Sequence, residues 1–149
     1  MSNEPTTTDH SLVPLSEAEC WQLLGKSGIG RLAVVVGHQP DIFPVNYLLD
    51  GTTIVIRSAE GTKLAAALMG QLVAFEIDGF NPAHHSGWSV VVHGTATEDR
   101  SLSGTMRDEQ LGLEPWADGI KSRYIHVEAN TITGRYLPPL AEPVQQAQP

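Results

Sequence analysis

The chain alternates between apolar and polar positions in short runs, and these runs predict most of its structure. In the segment 72–78 the apolar residues Val73, Phe75 and Ile77 alternate with small or acidic ones. A period of two residues predicts a strand with one dry face and one wet face. Runs rich in β-branched residues predict further strands at 29–36, 42–49, 52–56, 88–97, 124–128 and 131–137, the last as a continuation of its predecessor or as a separate strand.

Turn and cap residues join these strands into one predicted architecture. Asp50-Gly51 is a two-residue hairpin signal, and Gly94 interrupts the fifth strand at a predicted bulge or barrel corner. Ser16 and Glu19 fit a capping box that opens a helix, which runs to about Lys26 and is ended by Gly28. The predicted fold is mainly β, a β-barrel of six or seven antiparallel strands with peripheral α-helices.

The domain boundaries follow from composition. Residues 1–14 and 139–149 are rich in polar residues or Pro, Gln and Ala without periodicity, which predicts disordered tails. Residues 15–138 are predicted to form one domain, since no linker or repeat divides them.

Charge and cysteine content exclude several kinds of partner and compartment. The net charge is −8, with nine basic residues against seventeen acidic ones, which argues against a nucleic-acid partner. The sequence shows no run of about 20 apolar residues and no signal peptide, so neither a membrane partner nor secretion is expected. Cys20 is the single cysteine, which fits a reducing compartment, and we expect a cytoplasmic protein.

A strand-to-helix corner at 57–63 carries the strongest candidate chemistry. A helix start attracts anions through its unpaired N–H groups, and here Arg57, Lys63 and the hydroxyls of Ser58 and Thr62 can converge on it. The pattern favours a phosphate site. The alternative is that Arg57 pairs with Glu60 and Lys63 is solvated.

Other motifs match a known pattern in their letters but not in their structural context. Gly28, Gly30 and Ala33 match the letters of a dinucleotide fingerprint, but they follow a helix and open a strand, the reverse of what that motif requires. No metal site and no general acid–base pair is predicted. Any chemistry is therefore expected to come from a cofactor.

The order of the helix, the PVNY strand, the RSAEGTK corner and the GWSVVVHGTA strand resembles the pyridoxamine 5′-phosphate oxidase-like FMN-binding split-barrel family. Within that family it is most similar to the small members related to nitroimidazole-resistance proteins. The resemblance covers Leu15–Leu137. It implies a six-stranded split barrel, a homodimer, and FMN in a groove at the subunit interface.

Site residues follow from this resemblance position by position. Arg57, Ser58, Thr62 and Lys63 would hold the FMN phosphate. The residues expected along the isoalloxazine ring and ribityl chain, or flanking the flavin, are Val45, Asn46, Tyr47, Trp88 and Ser89.

The resemblance leaves the activity open. A flavin-dependent oxidoreductase acting on a small substrate is the leading interpretation, with a non-catalytic flavin-storage protein and a barrel that has lost its ligand as alternatives. A deazaflavin could replace FMN at the same corner. The paired Arg and His that grip the substrate in pyridoxamine phosphate oxidases have no clear match, with Arg135 the nearest candidate.

Overall fold

A computed structural model describes residues 11–26, 28–58, 66–98 and 123–140. Residues 66–68 are helical, and Pro82–His84 form one turn of 3₁₀ helix. The other elements, in chain order, are β1 (Val13–Pro14), α1 (Glu17–Leu24), β2 (Gly28–Val36), β3 (Gln39–Asp50), β4 (Thr53–Ser58), β5 (Leu72–Asn81), β6 (Ser86–Thr97) and β7 (Arg123–Leu137).

Six of the strands close into an antiparallel ring. The order is β7-β4-β3-β2-β5-β6, and β6 pairs again with β7. β7 pairs with β4 along its first half, and near its end the short β1 lies beside it through Val13 and Tyr136. The sequence-based prediction of a mainly β barrel with six or seven antiparallel strands is confirmed.

The pairing of β1 places ordered chain two residues before the predicted start of the domain at 15. At the other end Leu140 donates its backbone N–H to the carbonyl of His84, 2.9 Å away. The remaining parts of the two predicted tails, 1–10 and 141–149, lie outside the described residues.

The helix begins as predicted and ends earlier. Ser16 accepts a hydrogen bond from the backbone N–H of Glu19, and the Glu19 carboxylate accepts one from Ser16, each at 3.2 Å. The helix stops at Leu24 with Gly25 as its C-cap, so the predicted end near Lys26 is wrong. Gly28 instead opens β2, with a φ of 136° that favours glycine.

The hairpin between β3 and β4 forms with a shift of one residue. Asp50 pairs with Thr53, which makes Gly51 and Thr52 the turn residues, and Gly51 adopts a φ of 61°. Among the described residues, the part of β3 before Tyr47 pairs with β2 alone. Pro44 lies in that part, and proline in a sheet is typical of such an edge.

β7 is a single strand of 15 residues, which resolves the open question about 131–137. Its register against β6 shifts between His93 and Gly94, at the predicted bulge. A Cβ at Gly94 would overlap the carbonyl oxygen of Glu128 on β7. The close approach of the two backbones therefore requires glycine there.

The barrel interior holds the hydrophobic core. Val73, Phe75 and Ile77 are each at most 4% exposed, so the predicted dry face of β5 is confirmed. α1 covers one end of the barrel, and Cys20 occupies the space a side chain at Gly134 would need. None of the helices in the described ranges has the length and apolar character of a membrane span.

Candidate functional site

The structure describes only the strand half of the predicted phosphate-binding corner. Arg57 and Ser58 are the last two residues of β4, and they pair in register with Tyr124 and Arg123 of β7. The other half of the predicted corner, with Thr62 and Lys63, lies outside the described residues. Whether the two cations converge on one point thus stays a prediction.

Arg57 points away from the core. Its neighbour Ile56 belongs to the core cluster inside the barrel, and successive strand residues face opposite sides. The guanidinium carbon of Arg57 lies 5.8 Å from the centre of the Tyr124 ring, within cation–π range. This contact limits the freedom of the half-buried side chain and fixes its charge on the outer surface where β4 ends.

Asn46 faces the same outer side of the barrel as Arg57. Tyr47 and Ile56 are directly paired and both point inward, so the next residues along the two strands, Asn46 and Arg57, face outward together. On its other side Asn46 pairs with Ile29 of β2. A cavity of about 190 Å³ opens here, lined by Ile29, Pro44, Val45 and Asn46.

The open edge of β3 adds backbone groups to this surface. Since β3 pairs with β2 alone before Tyr47, the backbone groups of Val45 and Asn46 that face away from β2 have no strand partner among the described residues. Such an edge presents hydrogen-bond donors and acceptors to a ligand. Val45 and Asn46 therefore have backbone groups that a ligand could bind, and their contact with a flavin ring stays a prediction.

Tyr47 takes a different role. It is 2% exposed, its hydroxyl donates to the carbonyl oxygen of Leu24 at 2.9 Å, and its ring meets Phe75 edge-on at 4.9 Å. Burial raises the pKa of its phenol. The side chain of Tyr47 ties α1 to the barrel, so only its backbone is available to a ligand.

Trp88 and Ser89 lie at the start of β6 and point to opposite faces. Trp88 is half-buried and packs against the core, and a Cβ at Gly79 would lie 2.8 Å from its indole nitrogen. Ser89 faces outward between Asp78 of β5 and Arg135 of β7. The indole is thus largely structural, whereas the Ser89 hydroxyl belongs to an outer surface.

Both residues border a cavity of about 470 Å³, which lies where β5 and β7 end and β6 begins. Its charged residues are Arg31, Asp78 and Arg135. Sequence reasoning included only Arg135 among these, because Arg31 and Asp78 come together through the pairing of β2 with β5, which are not consecutive strands. The alternation of β5 did place Asp78 on the wet face.

Two carboxylates beside this cavity, those of Glu76 and Asp78, interact with Arg31. Arg31 lies 3.4 Å from Asp78 and 3.9 Å from Glu76. The pKa of Glu76 is raised, first by burial, then by a hydrogen bond to Asp78 and by the charge of Asp78, with Arg31 acting in the opposite direction. Arg31 thus offsets part of the negative charge of these two carboxylates, and Arg135 is the second cation that lines the cavity.

The predicted site residues form two groups that lie apart within one chain: one contains Asn46 and Arg57, and the other contains Trp88 and Ser89. Asn46 of β3 pairs with Ile29 of β2. If the β2–β5 register is continued, Asp78 of β5 lies opposite Ile29. Asp78 in turn pairs with Ser89 of β6. From Arg57 to Ser89 this row crosses four strand spacings, about 19 Å along the convex surface. The structure brings together Arg57 and Asn46, but it does not bring Ser89 to them in the same chain.

The closed six-stranded ring, with a capping helix and an outward-facing arginine at the end of β4, defines the class of split-barrel proteins. The chain belongs to the pyridoxamine 5′-phosphate oxidase-like family, whose model matches residues 16–136.

Several solved and curated proteins are similar to it. The FAD binding protein from Mycobacterium smegmatis is 35% identical with a TM-score of 0.72, over 84% of this chain and 98% of that one. A conserved protein of unknown function from Corynebacterium diphtheriae is 29% identical with a TM-score of 0.72, over 85% and 98%. An uncharacterized protein from Mycobacterium tuberculosis is 31% identical over 128 residues, 83% of this chain and 84% of that protein.

Proposed function

We propose that this protein binds a flavin nucleotide on the outer surface where β3 and β4 meet, and that it uses the flavin for redox chemistry on a small substrate. The observation that carries the proposal is that Arg57 and Asn46, each one step beyond the last β3–β4 pair, face the same outer side of the barrel where the edge of β3 opens. The similarity to the FAD binding protein of Mycobacterium smegmatis supports it.

The residues present fit the mononucleotide half that FMN and FAD share. Arg57, held against Tyr124, offers a fixed cation to a phosphate, with Lys63 and the hydroxyls of Ser58 and Thr62 as its proposed partners. The edge of β3 at Val45 and Asn46 offers amide groups to the polar rim of the ring. Ile29, in register with Asn46 and 41% exposed, offers an apolar contact to the face of the ring. FMN is the sequence-based expectation, and the same contacts serve FAD.

A bound flavin supplies hydride transfer at its ring. The chain's own residues bind and orient it, shield it from water and leave one face for a small substrate. We assign no nucleophile and no general acid or base.

We further propose a homodimer with the flavin at the interface. Arg57 and Ser89 lie four strand spacings apart on a convex surface, where side chains diverge. A second copy related by a two-fold axis can set its Ser89 region against the Arg57 surface of the first. Two equivalent sites then form, each using residues of both copies.

The experiment is direct. Purified full-length protein should be yellow, and denaturation should release a flavin that mass spectrometry identifies. With a full flavin complement, it should oxidise a reduced nicotinamide in the presence of a quinone or nitroaromatic acceptor. A colourless protein that takes up no added flavin would contradict the proposal; flavin without turnover would contradict its redox part alone.

A further inference from the structure

A cavity of about 290 Å³ lies between α1 and the strands β6 and β7. Its volume is near the lower end of the range of small-molecule sites, about 300–1,000 Å³. One wall consists of β-strand residues, Trp88 and Tyr136. The other wall is a single face of the helix, extended to the residue before its cap, and its members are spaced three or four residues apart: Leu15, Glu19, Gln22, Leu23 and Lys26.

Trp88 and Tyr136 form an aromatic wall. They are direct partners in the β6–β7 register, so their side chains leave the sheet on the same side, toward α1. The next pair, Ser89 and Arg135, faces the opposite side. Trp88 is half-buried and Tyr136 is 36% exposed, so each keeps aromatic surface that the core does not cover. Such a wall favours a planar aromatic ligand.

The helix wall is tied to the barrel at both of its ends. The backbone N–H of Leu15 donates to the carbonyl oxygen of Gly134 on β7, 2.9 Å away. At the other end of α1, the hydroxyl of Tyr47 donates to the carbonyl oxygen of Leu24, also at 2.9 Å. The cavity is therefore formed before a ligand arrives, which lowers the entropic cost of binding.

The two ends of the helix wall differ in charge. The Glu19 carboxylate accepts a hydrogen bond from the backbone N–H of Ser16 at 3.2 Å and so serves the helix cap. Lys26, about two helical turns further on, is exposed and has no ion-pair partner in the described part of the chain. An anionic group is therefore attracted to the Lys26 end of the cavity and repelled from the Glu19 end.

We propose that this cavity binds a small planar aromatic carboxylate, with its rings against Trp88 and Tyr136 and its carboxylate at Lys26. The aromatic wall and the apolar side chains of Leu15 and Leu23 supply the contact that a ring system requires. Lys26 supplies the local positive charge in a chain whose net charge is −8. None of these contacts requires a flavin, so the site is independent of the proposed function.

Calorimetric titration of the full-length protein with three related probes tests the proposal. 2-Naphthoate has both the rings and the charge, 2-naphthamide has the same shape without the charge, and cyclohexanecarboxylate has the charge without an aromatic ring. We expect 2-naphthoate to bind about fivefold more tightly than either analogue, because an exposed ion pair and an aromatic contact have contributions of that size.

Variants assign the binding to this cavity. Lys26→Gln should weaken 2-naphthoate about fivefold and leave 2-naphthamide within about twofold. Tyr136→Leu should weaken both naphthalene probes. Gln22→Trp, a change at an exposed helix position, should fill the cavity and abolish the binding of all three probes.

Arg135→Gln is the matched control for Lys26→Gln. Arg135 is an exposed cation next to Tyr136 in sequence, but it lines the 470 Å³ cavity and not this one. Its replacement should leave the affinity for 2-naphthoate within about twofold. Circular dichroism checks that each variant is folded.

Three results would overturn the inference. If no probe binds at millimolar concentration, or if Lys26→Gln and Gln22→Trp leave 2-naphthoate binding unchanged, this cavity is not the site. If Arg135→Gln weakens 2-naphthoate as much as Lys26→Gln does, the anion is not held by Lys26. If 2-naphthoate displaces bound flavin, the probe occupies the flavin surface instead. The first two results leave the flavin proposal standing, because flavin titrations test it separately.

Discussion

Asn46 and Arg57 face the same outer side of the barrel, each one step beyond the paired Tyr47 and Ile56, whose side chains fill its interior. One β-hairpin thus turns a partly buried amide and a partly buried cation to the outer side of the barrel, while it buries an aromatic and an aliphatic side chain in the core. This relationship links the fold to the proposed flavin site, because the register that closes the core also sets the spacing of the two polar groups.

Two binding-deficient variants are predicted to restore each other when mixed. Arg57→Ala/Lys63→Ala protein lacks the two cations proposed to bind the phosphate. Ser89→Tyr protein carries a bulky ring in the region proposed to face the flavin from the other copy. If each site takes residues from both copies, a mixed dimer keeps one intact site. Free exchange of subunits then restores about a quarter of all sites.

Flavin bound per chain after gel filtration measures this recovery. Each variant alone, folded by circular dichroism, should bind little flavin. A mixture that stays colourless would show that both sets act within one chain.

Tyr47→Phe separates stability from binding. The change leaves the buried carbonyl of Leu24 without its donor, so we expect the free energy of unfolding to fall by about 1–3 kcal/mol. Flavin affinity should stay within about twofold, since the Tyr47 side chain points into the barrel. Denaturant melts and flavin titrations check the two values, with Tyr136→Phe, a partly exposed ring, as the control. Weaker flavin binding at unchanged stability would contradict the assignment.

Glu76 is predicted to make stability depend on pH. Because its pKa is raised in the folded protein, the folded state binds more protons than the unfolded state between the ordinary value of 4.5 and the raised one. The free energy of unfolding therefore falls as pH increases through that window.

Glu76→Gln removes this titration. The variant should melt at a higher temperature than wild type at pH 7, and the difference should shrink as pH falls through the raised pKa of Glu76 toward 4.5. Thermal melts of wild type and Glu76→Gln between pH 4 and pH 7 test this prediction. A variant that is less stable at pH 7, with the deficit vanishing in acid, would show that the pairing with Arg31 outweighs burial.

Local signals in the sequence predicted local structure well. The Ser16–Glu19 capping box, the alternation of β5 and the glycine at the β6 bulge depend on neighbouring residues, and all three are confirmed. The end of α1 was misplaced because Gly25 caps the helix before Gly28 is reached. Gly28 serves the start of β2 instead.

The site was harder to predict because its geometry depends on strands far apart in sequence. The cavity with Arg31, Asp78 and Arg135 exists only when β2 pairs with β5 and β6 with β7. Tyr47 was expected along the flavin largely through its backbone, and that expectation stays a prediction; the register of the whole barrel decides that its side chain faces the core. The strand pattern predicted a barrel, but no local pattern shows which strands far apart in sequence pair with each other.

The central claim is that Arg57 and Lys63 hold the phosphate of a flavin, and a titration tests it most directly. Stripped full-length protein is titrated with FMN and FAD, as wild type, as Arg57→Ala/Lys63→Ala, and as an Arg57→Lys control that keeps the charge. We predict saturation at one flavin per chain for wild type and a loss of about a hundredfold or more in affinity for the double variant. A folded double variant that binds flavin as tightly as wild type would contradict the account.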